Sequence, residues 1–225
     1  MTIGLNYDEK IAIFELGDDE NRFTPVFLDE INSCLDEIIA SGASGLVTTA
    51  LGKFYSNGLD LDWLSAHGDQ THWYVGRVQG LLARLLTLPI PTAAAVVGHA
   101  FGAGAMLAMA HDFRVMRADR GYFCFPEVDI RVPFTPGMAA LIQAKLAPQA
   151  ATASMTTGRR FGGGEAAGLG IVDSTAAEDA VTAAAVDLLR PLGGKDPGTL
   201  GAIKQTMFGH VVAALTANSY EPKVN

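Results

Sequence analysis

The stretch from Val96 to Asp112, Val-Val-Gly-His-Ala-Phe-Gly-Ala-Gly-Ala-Met-Leu-Ala-Met-Ala-His-Asp, constrains this chain more than any other. An apolar run from Ala94 to Val97 stops at Gly98, Gly102 and Gly104 follow, and small residues carry a helix from Ala105 to Ala110. Glycines ahead of a helix let the backbone turn sharply and leave N–H groups unpaired at the positive end of the helix dipole. Such groups can hold an anion, or a carbonyl oxygen that becomes anionic during reaction. The cluster is not a dinucleotide fingerprint, because no third glycine follows three residues after Gly104, and no Gly-Lys-Ser/Thr makes it a P-loop. By itself it fits tight packing of a strand on a helix equally well.

A second segment shifts the balance. Gly52-Lys53-Phe54-Tyr55-Ser56-Asn57-Gly58-Leu59-Asp60-Leu61 follows a buried-looking strand, Gly45 to Ala50, and leads into a helix expected to open near Leu59. Two strand–glycine turn–helix units can place two backbone donors around one oxygen, the arrangement of an oxyanion hole.

The composition sets outer bounds. A chain of 225 residues fits one sizeable domain or a core with a small appendage. A formal net charge of −8 and the absence of basic runs argue against a nucleic-acid surface. Cys34 and Cys124 are isolated, which points to a reducing compartment, and neither has the spacing of a zinc site, so no metal is expected. Met1 to Lys10 shows no basic start followed by an apolar stretch, so no secretory leader is read there. Leu85 to Ala110 is long and almost uncharged, but Pro89, Pro91, His99 and three glycines mark it as buried strand, turn and helix, not a membrane span. The expectation is a soluble cytoplasmic protein.

Along the chain, Lys10 to Leu16 reads as a strand and Thr24-Pro25 as the cap and first residue of a helix over Val26 to Ala40. Helices are expected over Trp73 to Leu88, from Pro136 and Pro148, over Glu165 to Gly168, Glu178 to Leu189 and Thr199 to Leu215. Strands are expected over Thr92 to Val97, Phe113 to Met116, Tyr122 to Phe125 and Ile171 to Asp173, with Gly162-Gly163-Gly164 as a loop and Leu192 to Gly198 as a hinge. Repeated strand–helix units imply an α/β domain with parallel pairing.

From Lys10 to Asp173 the residues resemble the crotonase superfamily, the enoyl-CoA hydratase/isomerase family. Gly52 to Leu61 is similar to the family's Gly-Lys-x-Phe-x-x-Gly-x-Asp-Leu segment, and Leu88 to Gly98 to the strand before its second motif. Gly98 to Asp112 resembles the glycine turn and helix, and Phe125-Pro126-Glu127 the segment that holds a catalytic glutamate. Thr157-Gly158-Arg159 and Ala166 to Asp173 match later family segments. The resemblance implies a ClpP-like spiral of ββα units with a C-terminal helical region. It divides the chain into an acyl-CoA-binding core over residues 1–190 and a helical tail over 191–225 that serves oligomerisation. It also implies an acyl-CoA thioester substrate, no permanently bound cofactor, and a homotrimer or dimer of trimers.

Carried over by position, the backbone N–H groups of Leu59 and Ala103 would be the oxyanion donors. Family hydratases use two glutamates; here the first position is Met106 and the second is Glu127. Hydration needs one group to activate water and a partner to manage its protons, and methionine does neither. Moving a double bond needs one base, which removes a proton at C2 and returns it at C4. The chain is therefore closest to the single-glutamate Δ3,Δ2-enoyl-CoA isomerases, with hydration, hydrolysis, decarboxylation or silent acyl-CoA binding as alternatives. Substrate contacts are expected from Tyr55, Ser56, Asn57, Gly58, Asp60, Leu61, His99, Gly102, Met106 and Phe134. Asp129 would join Glu127 on one side if that segment were extended. Asp112 reads as a core hydrogen-bond acceptor and Lys204 as a solvated helix lysine. Leu200, Ile203, Met207, Val211 and Leu215 form an apolar stripe in the tail.

Overall fold

The computed structural model describes residues 3–217. β1 (Gly4–Asp8) and β2 (Ile11–Glu15) form an antiparallel pair. β1 was not legible in the sequence: no residue of this edge strand is fully buried, so it carries no alternation to read. α1 (Pro25–Ala40) starts where the Thr24 hydroxyl accepts the Phe27 N–H, with Pro25 as its first residue, and buries Phe27, Leu28, Ile31, Leu35 and Ile38.

The chain then winds. β3 (Gly45–Thr49) and β4 (Phe54–Ser56) lead to α2 (Leu61–Ala66) and α3 (Thr71–Leu86). β5 (Thr92–Val96) and β6 (His99–Phe101) lead to α4 (Ala103–Ala110). β7 (Phe113–Arg117) and β8 (Phe123–Cys124) lead to the one-turn α5 (Glu127–Ile130). α6 (Pro136–Lys145), α7 (Pro148–Thr157) and α8 (Gly163–Gly168) precede β9 (Ser174–Ala176), α9 (Val181–Leu189) and α10 (Pro197–Thr216).

Among the described residues the strands form two sheets, ordered β1-β2-β3-β5-β7-β9 and β4-β6-β8, with every neighbouring pair from β2 onward parallel. Each turn of the spiral contributes a strand to the large sheet, a strand to the small one, and then helix. This is the expected spiral of ββα units. The large sheet is covered on both faces. Val47, Ala93, Ala95 and Val115 pack with α9, whereas Leu46, Ala94 and Val96 belong to the main core. Burial on both faces explains why these strands read as unbroken apolar runs.

Several expected boundaries move. The helix expected near Leu59 opens at Leu61, capped by the Asp60 carboxylate accepting the Trp63 N–H, and α4 begins at Ala103, two residues early. Gly163 and Gly164 lie in α8, not in a loop; a Cβ at Gly163 would meet the Arg117 carbonyl oxygen at 2.4 Å, so the close approach of the helix start to β7 needs glycine there. The strand expected at Ile171 to Asp173 lies at Ser174–Ala176, since Ile171 and Val172 are fully buried core residues and the Asp173 carboxylate accepts the Arg114 N–H. No helix among the described residues is long and apolar enough to cross a membrane, and Leu85 to Ala110 is divided among α3, β5, β6 and α4.

The tail expected over residues 191–225 runs past the described residues at 218–225. Its Pro197 and Gly198, assigned to a hinge, open α10 behind an Asp196 cap. α10 packs on α3 and α6, burying Phe208, Val211 and Leu215 in the main core, while Ile203 and Met207 stay about half exposed. The apolar stripe is therefore split: half is folded back onto the chain's own core.

Candidate active site

Two glycine turns meet at the ends of β4 and β6. Gly58 has φ +78°, and a Cβ there would lie 2.8 Å from the Ala103 nitrogen and 2.7 Å from the Phe101 carbonyl oxygen. Only glycine combines that dihedral with that approach. The loop between β2 and α1 holds the turn: Phe23 N–H donates to the Gly58 carbonyl and Asn57 N–H to the Glu20 carbonyl, each at 2.8 Å. Asn21, fully buried, donates through Nδ2 to the Phe54 and Tyr55 carbonyls at 3.2 and 3.1 Å. The sequence does not disclose this role of the loop, because its partners lie more than thirty residues away.

In a planar trans peptide the N–H points opposite to the C=O. With the Gly58 carbonyl taken by Phe23, the Leu59 N–H is turned away from that loop. The Gly102 carbonyl likewise accepts the Met106 N–H at 3.0 Å, turning the Ala103 N–H out beyond the start of α4. Among the described residues, neither N–H has a protein acceptor.

Glu127 stands beside these groups. Gly102 has φ +52°, and a Cβ there would lie 3.4 Å from Glu127 Oε1. The Glu127 side chain is buried, its Oε2 has no hydrogen-bond partner among the described residues, and burial pushes its carboxyl up to about 7 against the pull of its own backbone N–H. Desolvation with no facing cation is the usual cause of such a rise. Met106 is fully buried in the first turn of α4. Phe134 is half-buried, edge-on to Phe125 at 6.2 Å between centroids.

Other expected contacts fall elsewhere. Tyr55 is fully buried with its hydroxyl 2.7 Å from Thr48 Oγ1, and the Ser56 hydroxyl donates to the Asn21 carbonyl at 2.8 Å while accepting the Gly58 N–H at 3.1 Å. Both side chains are framework, a correction to their reading as substrate contacts. Tyr55 and Ser56 point to opposite faces of β4 and both faces are covered, which the motif spacing did not reveal. Asp60 is likewise the cap of α2, 3.7 Å from Arg22, and its N–H donates to the Tyr74 hydroxyl at 2.8 Å. Asn57 Nδ2 reaches Glu20 Oε2 at 3.4 Å, and Leu61 is exposed. His99 packs among the rings of Phe54, Phe101 and Tyr122, with its buried Nδ1 unpartnered among the described residues. Burial and then the nearby Lys53, Arg120 and Arg160 lower its pKa, which favours the neutral ring. Asp129 sits on the helical turn α5, not on an extended strand, so it and Glu127 do not share a side; its carboxylate lies against Gly158. Asp112 accepts the Thr92 N–H as expected. Lys204 is a correction: it is 3% exposed and pairs with Asp112 Oδ2 at 2.6 Å.

A family profile described as "Enoyl-CoA hydratase/isomerase" matches residues 8–222. The chain belongs to the enoyl-CoA hydratase/isomerase family. It is 42% identical over 190 residues to a protein named enoyl-CoA delta isomerase 2, peroxisomal, of Arabidopsis thaliana, covering 80% of this chain and 79% of that one. It is 34% identical over 221 residues to enoyl-CoA delta isomerase 1, peroxisomal, of the same plant, covering 95% and 92%. Among solved structures, human mitochondrial delta3-delta2-enoyl-CoA isomerase superimposes with a TM-score of 0.87 at 21% identity, over 95% of this chain and 85% of that one. That last likeness carries the crotonase fold.

The family membership corrects one expectation. Two relatives carry a peroxisomal name, which overturns the cytoplasmic location read from composition. Low cysteine content and a modest acidic charge do not distinguish one reducing compartment from another.

Proposed function

We propose that this member of the family shifts the double bond of 3-enoyl-CoA thioesters to the 2-position. The observation that carries the reading is a single buried carboxyl, Glu127, beside two free N–H groups, with methionine at the other family carboxylate position. The thioester oxygen accepts from the Leu59 and Ala103 N–H groups, and the dipole of α4 adds to the field. The Glu127 carboxylate removes a C2 proton, charge moves onto the thioester oxygen, and the glutamic acid returns the proton at C4. A carboxyl near neutrality suits a group that must act as base and then as acid. Gly58, Gly102, Met106 and Phe134 would line the reacting segment of the acyl chain. The acyl-CoA is substrate, and no resident cofactor is invoked.

The relatives named enoyl-CoA delta isomerases support the same reaction. The second reading, hydration, requires an acid that position 106 does not supply. Purified protein incubated with 3-enoyl-CoA should yield the 2-enoyl ester, and Glu127→Gln should lower turnover by about 10²–10⁴-fold with thioester binding retained. Rapid water addition to the 2-enoyl ester, or a Glu127→Gln enzyme with most of its activity, would overturn the reading. Assembly as a homotrimer or dimer of trimers belongs to the same proposal. Its support is the exposed Tyr122, Val128 and Ile130 around the Glu127 turn, apolar surface that association would cover.

A further inference from the structure

A cavity of about 600 Å³ lies between α10, the start of β7 and the end of α6, within the range of small-molecule sites. Its walls are apolar: Phe113, Leu192, Ile203, Met207 and Phe208. No member of the proposed catalytic set lines it. Its polar lining is lopsided in charge. Asp112 is paired with Lys204 at 2.6 Å and Asp196 caps α10 through the Thr199 N–H at 2.8 Å, so both carboxylates are engaged. Lys145 and the exposed Lys195 have no carboxylate within ion-pair distance among the described residues, and of the two Lys145 is half-buried. The Lys145 Nζ donates to the His111 carbonyl at 2.7 Å and lies 5.3 Å from the centre of the Phe208 ring. One hydrogen bond leaves two of the three N–H bonds of that ammonium without a protein acceptor.

Behind Lys145 the charge does not cancel. Arg114, Lys145 and Lys204 face Asp112 and Asp173, three cations against two anions, in a chain of net charge −8. Burial lowers the Lys145 amine to about 8, with Arg114 and Lys204 adding to the effect and Asp112 and Asp173 opposing it. The amine remains mostly protonated at neutral pH. A half-buried, unpaired ammonium is costly, and a bound anion with an apolar body would relieve it.

We propose that this cavity is a binding site for an amphipathic carboxylate, a free medium-chain fatty acid, whose head pairs with Lys145 and whose chain lies against Ile203, Met207 and Phe113. The apolar wall calls for the alkyl chain, and the half-buried, uncompensated Lys145 calls for the anionic head. The site is separate from the thioester cleft and stands whether or not the isomerase reading does.

Titration calorimetry with sodium decanoate tests it, with decanol as the uncharged comparison. The parent protein should bind one decanoate per chain and bind decanol at least 10-fold more weakly. Lys145→Met should weaken decanoate binding at least 10-fold. Ile203→Glu, at an exposed position where folding is unaffected, should do the same by adding a negative charge to the wall. Equal binding of decanol, or decanoate binding that survives Ile203→Glu, overturns the proposal. So does the absence of decanoate binding by the parent protein; a change in particle mass on Ile203→Glu would then make this face a contact between copies of the chain.

Discussion

At the residue scale, Glu127 links chemistry to stability. Its carboxyl stands near 7 in the folded chain against 4.5 for the free group, so the folded state binds the proton more tightly between those values. Stability therefore falls as pH rises through that window, and above about pH 7 the whole cost is present, on the order of 3 kcal/mol. Glu127→Gln should be more stable to urea than the parent at pH 8, by roughly 1–3 kcal/mol, and should lose that advantage near pH 4.5. An equal difference at both pH values would mean that desolvation of the carboxylate is not the cause. The base form is needed for proton removal, so kcat/KM should climb through about pH 7 and level off above it, read from a pH profile with 3-enoyl-CoA. Pro126-Glu127 was visible in the sequence. The burial that raises the carboxyl was not, since it depends on α4 and Gly102 closing over the side chain.

At the element scale, α4 must approach β4 closely for its N-terminus to reach the Gly58 turn. Gly104 makes that contact: a Cβ there would lie 2.3 Å from the Ser56 carbonyl oxygen, and backbone cannot yield as a side chain can. Gly104→Ala should cost about 1–3 kcal/mol of stability by overpacking, and should lower kcat by displacing the Ala103 N–H. Gly80→Ala, in α3 with open space where the Cβ would go, should instead stabilise by up to about 1 kcal/mol, which thermal unfolding of the two variants compares directly. Caps written within four residues, such as Thr24-Pro25, were legible because the partner is local. The helix through Gly163 was not, because its packing partner is Arg117 in another turn of the spiral.

For the whole molecule, α10 is held down by Lys204. Its ammonium donates to the Ile90 carbonyl at 2.8 Å and pairs with Asp112, joining the last helix to the segments that lead into β5 and β7. Removing one partner of a buried pair leaves the other charge uncompensated, so Lys204→Ala should destabilise the protein by about 3 kcal/mol in urea unfolding. A loss below about 1 kcal/mol would return Lys204 to an ordinary surface role. Light scattering at micromolar concentration should give a trimer or hexamer mass, and a monomer would refute the proposed assembly. Half of the tail stripe packs inward on the chain's own core; helical spacing shows that a stripe needs a cover but does not say which body supplies it.

The sequence by itself determined the alternation of buried strands and helices, both glycine turns, the presence of Glu127 and the lack of a carboxylate at position 106. Each is written in contiguous residues, where backbone dihedral preference and local periodicity act. Tertiary structure alone decided that the two turns meet, that Glu127 is buried with one oxygen unpaired, that Tyr55, Ser56 and Asp60 serve the framework, and that Lys204 points inward. Those outcomes depend on groups brought together across the spiral, and a face of a strand or helix becomes core or cleft only when its neighbour is in place.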